Sequence, residues 1–253
     1  MSSVIFGVDD RGVASIELNR PSAGNALDLE VAGGLAQAIT SIRENADVRV
    51  VRLSSTGKIF CAGGDVRAMA AASDRPRFLA DLAGSIHRSL IALDELPVPI
   101  VAAIQGPVAG AGLGLLLAAD YVAATPASSY VAAYSMIGLS PDCGGVSIGL
   151  PPRAIGMRRA LQMLVLNERI DASTALAWGL VDAVVELDEL ATDVDRVVSL
   201  LLDRQTSAVG QARRLVRASY QREFAQHLDD EALTITRLGG TEEVGALLSS
   251  RSR

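Results

Sequence analysis

Three short segments combine glycines with groups able to do chemistry. The first is Phe60-Cys61-Ala62-Gly63-Gly64-Asp65, which follows a β-branched run and a loop. Adjacent glycines let the backbone turn sharply and approach a ligand, leaving N–H groups unshielded. An ordinary strand-to-helix turn, with Asp65 near the helix start, has the same composition. The second is Gly106-Pro107-Val108-Ala109-Gly110-Ala111-Gly112-Leu113-Gly114. It is not a dinucleotide fingerprint, because Leu115 stands where G-x-G-x-x-G needs its third glycine. It is not a phosphate loop either, because no Lys-Ser/Thr follows. Small residues opening a helix still offer free N–H groups at the positive end of its dipole, which suits an oxyanion. Close packing of a helix in an apolar core explains them equally well. The third is Gly138-Leu139-Ser140-Pro141-Asp142-Cys143-Gly144-Gly145. Asp142 is a lone carboxylate among apolar neighbours, where desolvation would raise its pKa toward that of a general base. A turn or helix cap is its other natural use.

The elements around these segments alternate in type. Val13–Asn19 alternates apolar and polar residues and predicts a strand; Ala26–Ile42 has helical spacing. Val48–Leu53 predicts a buried strand, Phe78–Leu93 a helix, Pro99–Ile104 a strand, Gly110–Ala119 a helix and Tyr121–Ala124 a strand. Strands separated by helices indicate an α/β fold with largely parallel pairing. After about Asp188 the pattern turns helical, through Arg196–Leu202, Ala208–Tyr220 and Phe224–Arg237. This divides the chain into an α/β core, residues 1–190, and a C-terminal helical segment, residues 191–253. No exact internal repeat is visible.

Composition narrows the function. The 253 residues are 49% hydrophobic and 21% charged, which supports a substantial core. So apolar a chain is expected to bury surface between subunits. A formal net charge of -6 argues against a nucleic-acid partner. The two cysteines share no metal-ligand spacing with His87 or His227, so neither a disulfide framework nor a zinc site is expected. The N-terminus lacks the features of a signal peptide, and the cytoplasm is the default location. The uncharged run Val98–Ala119 contains Gln105, Pro107 and four glycines, so it predicts a strand, turn and helix rather than a membrane span.

Taken in order, the motifs resemble the enoyl-CoA hydratase/isomerase (crotonase) superfamily. They are Asn19-Arg20-Pro21 with Asn25-Ala26-Leu27, the Phe60–Asp65 turn, Pro99–Gly106, the glycine turn leading to Asp120, the Gly138–Gly145 segment, and Ala172 to Val181. The resemblance runs from about residue 4 to the C-terminus. It implies a spiral of ββα repeats with a C-terminal helical trimerisation segment, giving a homotrimer or dimer of trimers. It also implies a coenzyme A thioester as substrate, with no permanently bound cofactor and no metal. By the same resemblance the N–H groups of Ala62 and Ala111 form an oxyanion hole. Ala26, Ala62, Gly64, Asp65, Val66 and Tyr134 contact substrate or coenzyme A. Ala111 stands where the family has the middle glycine of three.

Departures from the family decide the expected reaction. The two glutamates that activate water in family hydratases fall at Gly114 and Tyr134, so paired-carboxylate hydration is not expected. The Pro-Asp-Cys-Gly-Gly arrangement and the Ala-Gly-Ala-Gly turn resemble 1,2-epoxyphenylacetyl-CoA isomerases, in which the aspartate shuttles a proton. Asp142 is accordingly expected to act as a proton-transfer base. A second resemblance is to 4-chlorobenzoyl-CoA dehalogenase-like members, with Asp142 as nucleophile and His87 as base. Helical spacing places His87 beside Ala83 and Leu90, so it either faces inward or lies on a partly exposed helix face. Tyr130, Tyr134 and Phe78 are the candidates for an aryl pocket. A third reading is a degenerate member that binds acyl-CoA without turnover. Cys143 reads as small packing and Trp178 as core. Arg153, Arg158 and Arg159 read as a solvated helix face.

Overall fold

The computed structural model describes residues 2–142, 145–149 and 154–251, so Cys143, Gly144 and Arg153 lie outside the described residues. Strands β1 (Val4–Val8) and β2 (Val13–Leu18) form a hairpin that leads into helix α1 (Leu29–Glu44). Then follow β3 (Val50–Ser55), α2 (Val66–Ala71) and α3 (Arg75–Asp94). Next come β4 (Ile100–Ile104), β5 (Val108–Ala109), α4 (Gly112–Ala118), β6 (Tyr121–Ala124) and β7 (Ser129–Val131). The chain continues through α5 (Val146–Gly149), α6 (Met157–Val165), β8 (Ile170–Asp171), α7 (Ala172–Trp178) and β9 (Ala183–Val184). It ends in α8 (Leu190–Leu202), α9 (Thr206–Ala218), α10 (Phe224–Gly239) and α11 (Glu242–Arg251).

Six strands form one sheet in the order β1-β2-β3-β4-β6-β9, parallel except for the β1–β2 hairpin. A smaller sheet has the order β5-β7-β8. Successive ββα units send their first strand (β3, β4, β6) to the large sheet. The chain then passes to the small sheet (β5, β7), or to the single bridge between Cys61 and Val108. The repeat is therefore one of pattern, with no sequence identity behind it.

Side-chain alternation fixes the two faces of the large sheet. Ala14, Ile16, Leu18, Val51, Leu53, Ile100, Ala102, Ile104, Val122 and Ala124 point into the main core, against α1 and α3. Val13, Val50, Val101 and Ala123 point the other way and meet Leu190, Val194, Val197 and Val198 of α8. Those four recur at helical spacing, so α8 lays one apolar stripe on the sheet. A strand buried on both faces reads as a short apolar run, which is why β3 in part and β4 throughout are readable in the sequence.

The first helix starts later than its periodicity predicts. Asp28 caps α1 by accepting from the Val31 amide, while Leu27 is extended and bridges Gly64. Asn25 holds this corner. It is buried and left-handed, with φ 54°. Its amide donates to the carbonyls of Thr56 and Ile59, each at 2.8 Å, and its Oδ1 accepts from the Arg20 N–H at 2.7 Å. Asn25→Ala would leave three backbone groups without this partner and force an alanine into the left-handed region. It is expected to lower unfolding free energy by about 3 kcal/mol, read from denaturant midpoints. Asn25→Gly removes the backbone strain and should recover part of that loss.

At the other end of α3, Arg213 of α9 is buried and donates to Asp120 (2.6 Å) and to the carbonyls of Leu93, Asp94 and Leu96. Arg217 bridges Asp94 and Asp120, each at 2.7 Å. This pair of arginines fastens the C-terminal end of α3 to the start of β6. No described helix is long and apolar enough to cross a membrane.

Candidate active site

The two glycine turns lie against each other. The Phe60 and Cys61 amides donate to the Pro107 carbonyl at 3.1 and 3.3 Å, and the Ala109 amide donates to the Cys61 carbonyl at 2.8 Å. Gly63 has φ 91°, and a Cβ on it would sit 2.9 Å from the Ala109 carbonyl oxygen. A Cβ on Gly112 would sit 2.8 Å from that of Cys61. Glycine is thus required at both positions for the turns to touch.

Beside this junction is a cavity of about 270 Å³. Ala62, Gly63, Gly64, Gly110 and Ala111 line its floor; Val66, Met69, Leu79, Ile137 and Leu139 give it aliphatic walls. Asp142 is the one carboxylate among the described lining residues, and Tyr134 the one aromatic.

The amides of the turns are not equivalent. Ala62, expected to supply an oxyanion donor, has its N–H engaged by the Gly24 carbonyl at 2.9 Å. That expectation is corrected: the Ala62 amide already has an acceptor. The N–H groups of Gly64 and Ala111 have no acceptor among the described residues, and both residues line the cavity. Ala111 adopts ordinary right-handed geometry (φ −61°, ψ −18°) and is buried, so alanine fits there without strain.

Asp65 does not line the cavity. Its Oδ1 accepts from the Ala68 amide at 3.0 Å and so caps α2, while its Oδ2 meets Arg20 at 3.2 Å. Partial burial opposes its ionisation, but the Ala68 amide and the Arg20 guanidinium outweigh this and hold its pKa below the ordinary value. Arg20 also pairs with Asp28 at 2.9 Å and donates to the Ala26 carbonyl at 2.8 Å. Ala26 is buried and is not among the residues lining the cavity. Arg20 thus joins the caps of α1 and α2, a role its place in a turn cluster did not reveal.

His87 and Asp142 come together. His87 Nε2 is 2.7 Å from Asp142 Oδ1, and both side chains are about half exposed (45% and 50%). The imidazole projects from α3, whose inward face carries Leu82, Ala83, Ile86 and Leu93. Asp142 follows a short helical turn that ends in left-handed Gly138. Tyr134 donates its phenol to the Asp142 carbonyl at 2.6 Å, so the backbone and the carboxylate of Asp142 are held separately. Just before it, Ala133 has φ 63°, an uncommon conformation for a side chain-bearing residue, and it too lines the cavity. Gly114 lines a different, neighbouring cavity together with His87.

Other candidates fall away from the cavity. Cys61 is fully buried, and burial pushes its thiol up to about 12 against a smaller opposing effect of the Gly63 amide, so it stays protonated. Tyr130 is buried with its hydroxyl 2.9 Å from Ser128 Oγ, and Phe78 packs on the main core. Arg158 and Arg159 are exposed on α6; the Arg159 guanidinium lies 5.3 Å from the centroid of the partly buried Trp178 ring.

The family model described as "Enoyl-CoA hydratase/isomerase" matches residues 9–246. The trans-2-decenoyl-[acyl-carrier-protein] isomerase of Streptococcus mutans is 31% identical over 234 residues, covering 92% of this chain and 87% of that protein. The 1,2-epoxyphenylacetyl-CoA isomerase of Escherichia coli is 31% identical over 261 residues, covering 100% and 98%. A crystal structure of an enoyl-CoA hydratase/isomerase from Mycobacterium abscessus, itself of putative function, superposes with a TM-score of 0.90 at 37% identity. It covers 97% of this chain and 95% of that one.

Proposed function

The chain belongs to the enoyl-CoA hydratase/isomerase family, and on that footing we propose that it is an acyl-CoA isomerase with Asp142 as its proton-transfer base. The observation that carries the reading is the lining of the 270 Å³ cavity: one carboxylate, facing a floor that includes the unengaged amides of Gly64 and Ala111. A thioester carbonyl seated on those amides has two donors for its oxygen. Asp142 then removes a proton α or γ to the carbonyl, and the electron pair moves onto that oxygen as a dienolate. The same carboxyl returns a proton at the other end of the allylic system. Removing one such oxyanion donor typically costs about two to three orders of magnitude in rate.

Hydration needs a second carboxylate, and the two positions that would supply one are occupied by Gly114 and Tyr134. The aliphatic walls, with a single aromatic, favour an alkyl chain over an aryl group. Ala62, Gly64 and Val66 are assigned to the thioester end of the substrate, with Ala26 and Asp65 acting through the Arg20 network. The homotrimer, or dimer of trimers, is assigned to the C-terminal helices, where Val216, Phe224, Leu233 and Ile235 are exposed.

A parallel assay of 3-enoyl-CoA, 2-enoyl-CoA and haloaryl-CoA thioesters tests the reading. We expect 3-enoyl-CoA to become the conjugated 2-enoyl-CoA at unchanged mass, with the absorbance of a conjugated thioester. A product heavier by one water would overturn it in favour of hydration. The His87–Asp142 contact gives a second reading specific support: aspartate attack on an aryl carbon, then hydrolysis with His87 activating water. In that case His87→Gln should accumulate an aspartyl-aryl ester visible in the intact-protein mass spectrum. An isomerase forms no such adduct.

A further inference from the structure

His87 and Asp142 line two different cavities. Asp142 lines the smaller one, above the two amides, and His87 does not. His87 lines a second cavity of about 540 Å³, bounded also by Gly114, Leu117, Ile148, Arg217 and Gln221, and Asp142 does not line that one. The contact between them, at 2.7 Å, is therefore a hydrogen-bonded link from the lining of the substrate cavity to that of the second one. Imidazole is suited to such a link because it can accept at one nitrogen while donating from the other.

We propose that His87 is a proton relay, exchanging the proton held by Asp142 with solvent in the second cavity during isomerisation. The inference rests on the isomerase reading. Asp142 takes a proton from the substrate carbon as the C–H bond breaks and the pair enters the dienolate. The carboxylic acid passes that proton to His87 Nε2, and the imidazolium releases one from Nδ1 to water. The reverse sequence returns a solvent proton to Asp142, which delivers it to the far carbon. Protons and charge balance, and no other reactant is needed. His87 acts through Asp142 and does not touch the substrate.

Isotope content tests this, because a merely structural histidine would not change it. Isomerisation of 3-enoyl-CoA is run in D2O, and the new C–H position is analysed by mass spectrometry and NMR. The wild-type product is expected to carry solvent deuterium in most turnovers. In His87→Gln the amide can still hydrogen-bond Asp142 but cannot relay a proton. Retention of the substrate's own hydrogen should rise several-fold per product formed. In His87→Ala, added imidazole should restore deuterium incorporation by entering the open cavity. His87 is half exposed, so both variants are expected to fold, with thermal unfolding as the check. Equal deuterium content in wild type and His87→Gln would overturn the relay while leaving the isomerase intact. Failure of every form to move the double bond would overturn the isomerase reading and the relay with it.

Discussion

Asp142→Asn is expected to lower kcat for double-bond migration by about 10³-fold, within the range that a positioned acid–base group contributes. Asparagine keeps the shape of the side chain and can still accept a hydrogen bond from His87. The cavity walls and the Tyr134 contact to the Asp142 carbonyl are untouched, so the dissociation constant for a non-reactive acyl-CoA should stay within about threefold. The measurement pairs steady-state kinetics with calorimetric binding. A variant retaining more than a tenth of wild-type turnover would place the base elsewhere. A wild-type protein that binds acyl-CoA and leaves every enoyl-CoA unchanged would instead support the acyl-CoA-binding reading. The size of the expected loss follows from the lining of the cavity: no second carboxylate stands among the described residues there to take over the proton.

The elements that carry the site are legible in the sequence because their signals are local. Strands β3, β4 and β6 announce themselves as short β-branched or apolar runs, and the membrane-length stretch around Gly106 resolves into β4, β5 and α4 as its glycines indicate. What depends on distant partners is not legible. The phase of the Phe60–Asp65 turn is set by Leu27 on one side and Val108 on the other. The Gly24 carbonyl engages the Ala62 amide while that of Gly64 has no acceptor among the described residues, a difference that no local composition encodes. Helical spacing leaves His87 either facing inward from α3 or on a partly exposed face, and its side chain is 45% exposed. That it meets Asp142 depends on how the segment after β7 folds back across that helix. The contacts of Arg20 with Asp65 and of Arg213 and Arg217 with Asp120 join residues far apart along the chain, so no local pattern shows them. The α8 helix begins at Leu190, well before the Arg196–Leu202 stretch that the sequence pattern marks as helical, and its stripe of Leu190, Val194, Val197 and Val198 emerges only against the second face of the sheet.

The contact between the two turns carries the second large effect, expected for Gly63→Ala. Its backbone is left-handed at φ 91°, where an L side chain is strained, and the new Cβ would lie 2.9 Å from the Ala109 carbonyl oxygen and 3.3 Å from the Gly110 Cα. Both neighbours are backbone, so the strain cannot be relieved by a side chain rotating away; the turns must move apart. The amides of Gly64 and Ala111 sit immediately beyond Gly63 and Gly110, one on each side of the displaced contact. An oxyanion hole works through fixed donors at hydrogen-bond distance, so even a modest separation of the turns weakens at least one donor. Gly63→Ala should therefore lower kcat/KM by about 10²-fold or more, with stability reduced by about 1–3 kcal/mol from the backbone strain. Gly179→Ala is the control. It imposes a comparable left-handed strain (φ 79°) at the end of α7, where a Cβ meets only an ordinary 3.6 Å contact with the Ala154 carbonyl oxygen. It should lose stability while keeping kcat/KM within about threefold. If both variants lost activity in proportion to stability, the effect would be global. A Gly63→Ala protein that kept its activity despite the measured strain would mean that the paired turns do not hold the reacting oxygen.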